Sequence, residues 1–352
     1  LLLKPDFPMK IVLADAGRAY DGATPSIRPM DGAERAVVGL ATALAARGHA
    51  VTVLNGCADP VTRGGVTYHP LATAGQDPKP VEAADALIAV RMPALLGAVA
   101  EVGRRILWPM AHPDYLTWST HRIHLDKYSP TIAYLGAIQM GASARPGGAV
   151  VMPGVSRAFR PGLLSEPTER PEAVVVTHPM HGLDQVLTLW EERIQPEVPG
   201  ARLTIYSALL RRALDGEVLP ASLEALAGRA KALAERDVVV RAPLAEDGMA
   251  GVYRSARLLL YPGHAKDMAC WALGEAQACG LPVVARGLGA AEERVVNGEA
   301  GYIVPDGEAF ANVAIQILSD ATLAKGIAAA AGEPARLRTW DAAARDFELL
   351  MA

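Results

Sequence analysis

Cysteine is scarce in this chain: Cys57, Cys270 and Cys279 are the only three in 352 residues. Their separations give neither CxxC nor metal-ligand spacing, which excludes a disulfide framework and a cysteine-built zinc site. Such usage fits a reducing, cytoplasmic compartment. Aromatic residues make up only 5% of the chain, too few for an evident platform on which a polysaccharide could lie. The formal charge of −4 gives no electrostatic case for nucleic acid. No run of Lys and Arg forms a polybasic patch, and no apolar run is long enough to cross a bilayer. The opening LLLKPDFP is short, broken by two prolines and without a cleavage pattern. Residues 1–8 therefore read as a remnant ahead of a start at Met9, not as a signal peptide. Glycine fingerprints for phosphate are missing too: ADAGRAYDGAT offers no GxGxxG after the first strand, and no Walker A motif occurs.

What the chain has is apolar residues, 51% of the total, enough for two cores at this length. From Lys10 strands and helices alternate. KIVLA reads as a first strand over 10–14. Ala33, Val37, Leu40, Ala41, Leu44 and Ala45 form one helical stripe over 33–48, and HAVTVLN returns as a strand. This βαβ unit implies a parallel sheet with a right-handed crossover. Further strands are expected over 86–90, 105–108, 131–134 and 149–152. The proline-rich stretch 153–172 reads as a linker. A second series follows, with strands over 173–177, 201–206, 237–240, 258–261, 282–285 and 301–304 and a helix over 182–192. The end, 334–351, reads as a helix with Trp340, Ala344, Phe347 and Leu350 on one side. The fold class is α/β, with two doubly wound domains over 9–152 and 165–333 and a closing helix over 334–352. Ligands of such sheets bind beyond the carboxyl ends of the strands, here in a cleft between the two domains.

The segment LLLYPGHAKDMACWALGEAQACGLPVVA, 258–285, is the most informative. It reads as strand, polar loop, short helix and strand. Asp267 and Glu275 bracket the loop and helix start with seven residues between them. Backbone N–H groups near Ala269 and Cys270 are expected to be unpaired and to suit a phosphate.

These residues resemble the retaining glycosyltransferases of GT-B architecture in family four. DMACWALGEAQACGLPVV follows the family's EGFGLPPLEAMACGTPVV. GLGAAEERVVNGEAGYIVPD is similar to GGIPEVVEDGVTGLLVPP, VMPGVSRAFRP to VIPNGVDLERFRP, and DGAERAVVGLATALAARGHAVTVL to GGAERVVLELARALARRGHEVTVL. THPMHGLDQVLTLW resembles the first strand–loop–helix of the family's second domain. The resemblance implies a nucleoside-diphosphate sugar, UDP- or GDP-linked, as donor, with no cofactor and no metal. Glu275 would bind the ribose hydroxyls and Asp267 the donor sugar. The backbone of Met268, Ala269 and Cys270 would meet the diphosphate, and Gly32, in the loop before the first helix, would let backbone approach it. The nucleotide base falls near Leu244. His112, after a first-domain strand, is the candidate for the sugar. The acceptor is a small molecule, a lipid-linked group or a glycan, held by loops such as 15–31, where Tyr20, Asp21, Arg28 and Asp31 suggest a polar partner. Peripheral contact with a membrane is left open. The closing helix is implied to cross back onto the first domain.

Three departures from the family stand out. Asp267 replaces a longer glutamate, and ACWA replaces the glycine-rich FGLP. His178 and His181 stand where relatives carry a basic pair for the diphosphate. Neutral imidazoles predict weaker donor binding that fades above about pH 7. Two alternatives remain: a nucleotide-sugar epimerase or phosphorylase, and a nucleotide-sugar-binding protein without catalysis.

Overall fold

The computed structural model describes residues 8–72, 81–145, 147–160, 170–333 and 337–352. The reading of residues 1–8 as a remnant, much of the expected linker and the expected boundaries at 165 and 334 fall largely outside these residues. The chain divides into two units, Leu1–Ser156 with Arg338–Ala352, and Arg157–Leu337.

Among the described residues the first unit has eight strands: β1 (Lys10–Ala14), β2 (Ala50–Asn55), β3 (Val61–Arg63), β4 (Val66–Pro70), β5 (Ala83–Val90), β6 (Glu101–Trp108), β7 (Thr131–Tyr134) and β8 (Ala149–Val150). Their order is β3-β4-β2-β1-β5-β6-β7-β8. All neighbours run parallel except β3 and β4. Among the described residues the second unit has six parallel strands: β9 (Glu172–Val175), β10 (Arg202–Tyr206), β11 (Val238–Arg241), β12 (Leu258–Tyr261), β13 (Val283–Arg286) and β14 (Tyr302–Val304). Their order is β11-β10-β9-β12-β13-β14. Strands buried on both faces have no polar side to show, and so β1 after Lys10, and all of β12, are continuous apolar runs. In each sheet the order reverses beside the first strand. The reversal lies between β1 and β5 in the first unit, and between β9 and β12 in the second. Loops leaving those pairs diverge and open a crevice.

Local signals explain the first long helix, Gly32–Ala46, which follows the short helix Thr24–Ile27. Asp31 Oδ1 accepts from the Glu34 N–H (2.7 Å), and Glu34 Oε2 accepts from the Asp31 N–H (3.3 Å). This capping box satisfies two of the helix's orphan donors. Val37, Leu40, Ala41 and Leu44 then face the core without exposure.

The closing helix, Trp340–Met351, belongs to the first unit, as expected. Trp108, at the end of β6, is fully buried under it, edge-on to Trp340 (ring centroids 6.3 Å apart) and Phe347 (5.1 Å). A side chain at Gly39 on the Gly32–Ala46 helix would lie 2.4 Å from the Trp340 ring, so only glycine fits. Arg47 grips Glu348 with two hydrogen bonds, 2.6 and 2.8 Å, and His49 Nε2 lies 2.9 Å from Glu348 Oε1. Burial pushes the Glu348 carboxyl up, but its bonds to Arg47 and His49 outweigh this and hold it below the ordinary value. A depressed acid adds stability above its unfolded pKa of about 4.3 and loses it as pH falls through the folded value. Glu348→Gln is expected to cost about 1–3 kcal/mol at pH 7. Urea unfolding at pH 7 and at pH 3 checks this: the gap from the native chain should close in acid.

Candidate functional site

At the reversal in the second sheet, the loop after β9 (178–182) meets the loop after β12 (262–270). Gly182, at φ +87°, has no room for a side chain, since a Cβ would come within 2.8 Å of Pro262. A third loop, after β13, closes behind them. Gly289 sits at φ +60°, and a Cβ there would lie 2.3 Å from the Asp267 carbonyl oxygen and 2.5 Å from that of His264. The next residue, Ala290, donates its N–H to the Asp267 carbonyl at 2.9 Å.

Asp267 is the keystone of the 262–270 loop. Its Oδ1 accepts from the Cys270 N–H at 3.0 Å, and its Oδ2 accepts from the Tyr261 hydroxyl. Its own N–H donates to the His264 carbonyl at 2.9 Å. Burial, followed by the charges nearby, drives the Tyr261 hydroxyl well above its ordinary value, so it remains a donor. The expectation of a free amide at Cys270 is corrected by this geometry: the Asp267 side chain takes it, as a short acid at a helix start commonly does. Cys270 adopts a left-handed conformation (φ +47°), and the helix Trp271–Ala278 starts directly after it. Burial, reinforced by Asp267, raises its thiol to about 12, so no thiolate forms near neutrality.

The amides of Met268, Ala269 and Trp271 have no acceptor among the described residues. Met268 is 2% exposed and Ala269 5%. Buried N–H groups without partners are rare and costly, and at a helix start they add to the positive end of the helix dipole. Glu275 lies on the same helix, half-buried, the fifth of its eight residues. Arg294, which no sequence signal singled out, donates from Nε to the Ala269 carbonyl at 3.1 Å and brings a cation to this loop. Leu244 is 44% exposed in the loop after β11.

His178 and His181 are brought to the same crevice, together with His264, which sequence reasoning passed over. The rings of His181 and His264 stack 4.2 Å apart at 9°, and those of His178 and His181 lie 5.1 Å apart at 46°. Partial desolvation and then the neighbouring His264 lower both His178 and His181 below the ordinary imidazole value, although Asp267 pulls His181 the other way. Among the described residues, no group of three His, Cys, Asp or Glu is arranged to hold a metal.

In the first unit, Gly32 is the first residue of the helix and not part of the loop before it, which corrects its expected place. His112 precedes a short turn, Pro113–Thr117, and its Nδ1 accepts from the Asp114 N–H at 3.4 Å. At the reversal beside β1, Asp15 is 1% exposed and takes Arg91 Nη2 at 2.7 Å and the Tyr20 hydroxyl at 2.9 Å. Tyr20 thus points inward, 3% exposed.

Residues 173–320 match the family described as glycosyl transferases group 1. D-inositol 3-phosphate glycosyltransferase of Streptomyces coelicolor is 30% identical over 222 residues, 56% of this chain and 48% of that protein. The Frankia alni enzyme of the same name is 32% identical over 216 residues, 56% of this chain and 50% of that protein. The chain thus spans about half the length of the curated relatives it matches. Sucrose-phosphate synthase from Thermosynechococcus elongatus has the same fold, with a TM-score of 0.72 at 16% identity over 97% of this chain and 98% of that one. Anabaena HepE, solved with UDP-glucose, gives 0.71 at 15% identity over 97% and 98%. The chain has the GT-B fold, and its residues 173–320 resemble the glycosyl transferases group 1.

Proposed function

We propose that this protein is a retaining glycosyltransferase that moves a sugar from a nucleoside-diphosphate donor, UDP- or GDP-linked, to a hydroxyl acceptor. The observation that carries the proposal is the set of unpaired amides of Met268, Ala269 and Trp271 at the start of the helix bearing Glu275. Donors without partners at a helix start match a diphosphate in charge and in hydrogen bonding. Glu275 on that helix accepts from the ribose hydroxyls. Asp267 positions the loop, and its remaining lone pairs accept from the sugar. Leu244 lies against the base. His112 and Gly32 are retained as first-unit candidates for the sugar and the diphosphate.

In the reaction, the bond from the anomeric carbon to the diphosphate oxygen breaks and leaves an oxocarbenium-like sugar. The acceptor oxygen attacks the same face, and the departing phosphate oxygen takes its proton. Preorganised amides stabilise the charge that develops on the leaving group. In this account amides and imidazoles meet that charge, and no metal is required. The relatives' acceptor, D-inositol 3-phosphate, makes a polyol phosphate the first acceptor to try.

One observation favours a second reading, binding without transfer: both Asp267 oxygens already accept hydrogen bonds within the protein. A thermal-shift screen against UDP, GDP, TDP and their sugars decides binding, and release of free nucleoside diphosphate decides chemistry. We expect a shift with one base and slow release, quickened by an acceptor. Binding with no release in the presence of acceptors would establish the second reading.

A further inference from the structure

All three histidines of the second unit, His178, His181 and His264, converge on the crevice beside β9 and β12. They differ in what holds them. His178 Nδ1 accepts from the Met180 N–H at 3.2 Å, and His264 Nδ1 accepts from the Lys266 N–H at 3.2 Å. A ring nitrogen that accepts carries no proton, so each of these neutral rings keeps its proton on Nε2. Adding a second proton to either would break a backbone bond. The ring of His181, between them, makes no hydrogen bond among the described residues.

Geometry also limits how many rings can be charged. Two imidazolium ions stacked about 4 Å apart repel by about 4 kcal/mol at the effective dielectric of a protein surface. At most one proton is therefore shared by the stack, and His181 is the ring free to take it. The charged and titratable groups around it are His178 on its own loop and Asp184 at the start of the following helix. The loop after β12 brings His264, Lys266 and Asp267. Arg286, at the end of β13, reaches Gln185 with Nη1 at 3.4 Å. Asp184 is paired with Arg229. Asp267 is the acid whose charge favours a proton on His181.

We propose that donor binding is coupled to uptake of one proton by His181, with His178 and His264 kept neutral as Nε2–H donors on either side. The three rings form a clamp that gains its positive charge only when the diphosphate arrives, because a nearby anion favours the charged form. This inference rests on the proposed donor site.

The test is isothermal titration of UDP-glucose at pH 7.5 in buffers of different ionisation enthalpy. Both phosphates of this probe lack a group that titrates near neutrality, so any proton uptake belongs to the protein. If the thermal screen favours another base, the corresponding nucleotide sugar replaces it. The expected result is an observed enthalpy that varies with the buffer, corresponding to uptake of roughly half to one proton. His181→Asn should abolish that dependence and weaken binding about tenfold. His264→Asn should weaken binding while keeping the proton uptake. Binding without buffer dependence in the native protein, or uptake that survives in His181→Asn, would overturn the proposal while leaving the donor site intact. Absence of binding by any nucleotide sugar would overturn the donor site and this coupling together.

Discussion

Glu275→Ala is expected to lower kcat/KM for sugar transfer by about 10- to 100-fold, the cost of losing one or two hydrogen bonds to a charged acceptor. The loss should appear in donor affinity, because a ribose contact is the same in ground state and transition state. Glu275 lies within the Trp271–Ala278 helix, where alanine is an excellent helix former. The helix start, with its unpaired amides, is left in place. Titration calorimetry with the nucleoside diphosphate that scores in the thermal screen separates the contributions. The affinity should fall with the full diphosphate and change little with inorganic pyrophosphate, which has no pentose. An unchanged affinity for the nucleotide would remove Glu275 from the site.

Gly289→Ala is expected to be the most damaging single methyl group in the second unit. Its φ of +60° alone costs a residue with a Cβ about 1–2 kcal/mol. The added carbon would also lie 2.3 Å from the Asp267 carbonyl and 2.5 Å from that of His264, both backbone atoms that cannot swing away. Relief requires the loops after β12 and β13 to separate, breaking the Ala290 to Asp267 hydrogen bond. Overpacking of this kind adds about 1–3 kcal/mol. A total of about 2–5 kcal/mol is expected in chemical unfolding of the second unit, together with loss of donor binding. Gly298→Ala is the control: its φ of +82° is equally unfavourable, but no atom lies within 4 Å of the added carbon. A loss at Gly298 equal to that at Gly289 would show that conformation, not the close approach of the loops, sets the cost.

Much of this was legible in the sequence because parallel strands announce themselves as short apolar runs between amphipathic helices. β1, β7 and β12 match their expected spans residue for residue. The β3–β4 hairpin was missed because VTR and VTYHP are short and half-polar, and only the RGG turn between them marks a reversal. The helix expected over 182–192 begins at Leu183 and loosens after Leu189 into a wider turn, Trp190–Ile194, which apolar periodicity does not reveal.

At the site, sequence placed the helix carrying Glu275 and the histidine loop correctly along the chain, but not the hydrogen bonds that decide their chemistry. Asp267 turns one carboxylate oxygen to Cys270, as a helix cap does, and the other to Tyr261, a partnership across the end of β12 that no spacing rule encodes. His264 escaped notice because a lone histidine three residues before an acid carries no signal until a second loop stacks another ring on it. Arg294 lies 25 residues from Ala269 and reaches it only through the fold.

The most direct test is a crystal structure of the protein grown with the nucleoside diphosphate selected by the thermal screen. The account predicts phosphate oxygens within about 3.2 Å of the Ala269 and Met268 amides, with the ribose hydroxyls on Glu275. Nucleotide bound away from the Trp271–Ala278 helix, or Glu275 turned from it, would contradict the account.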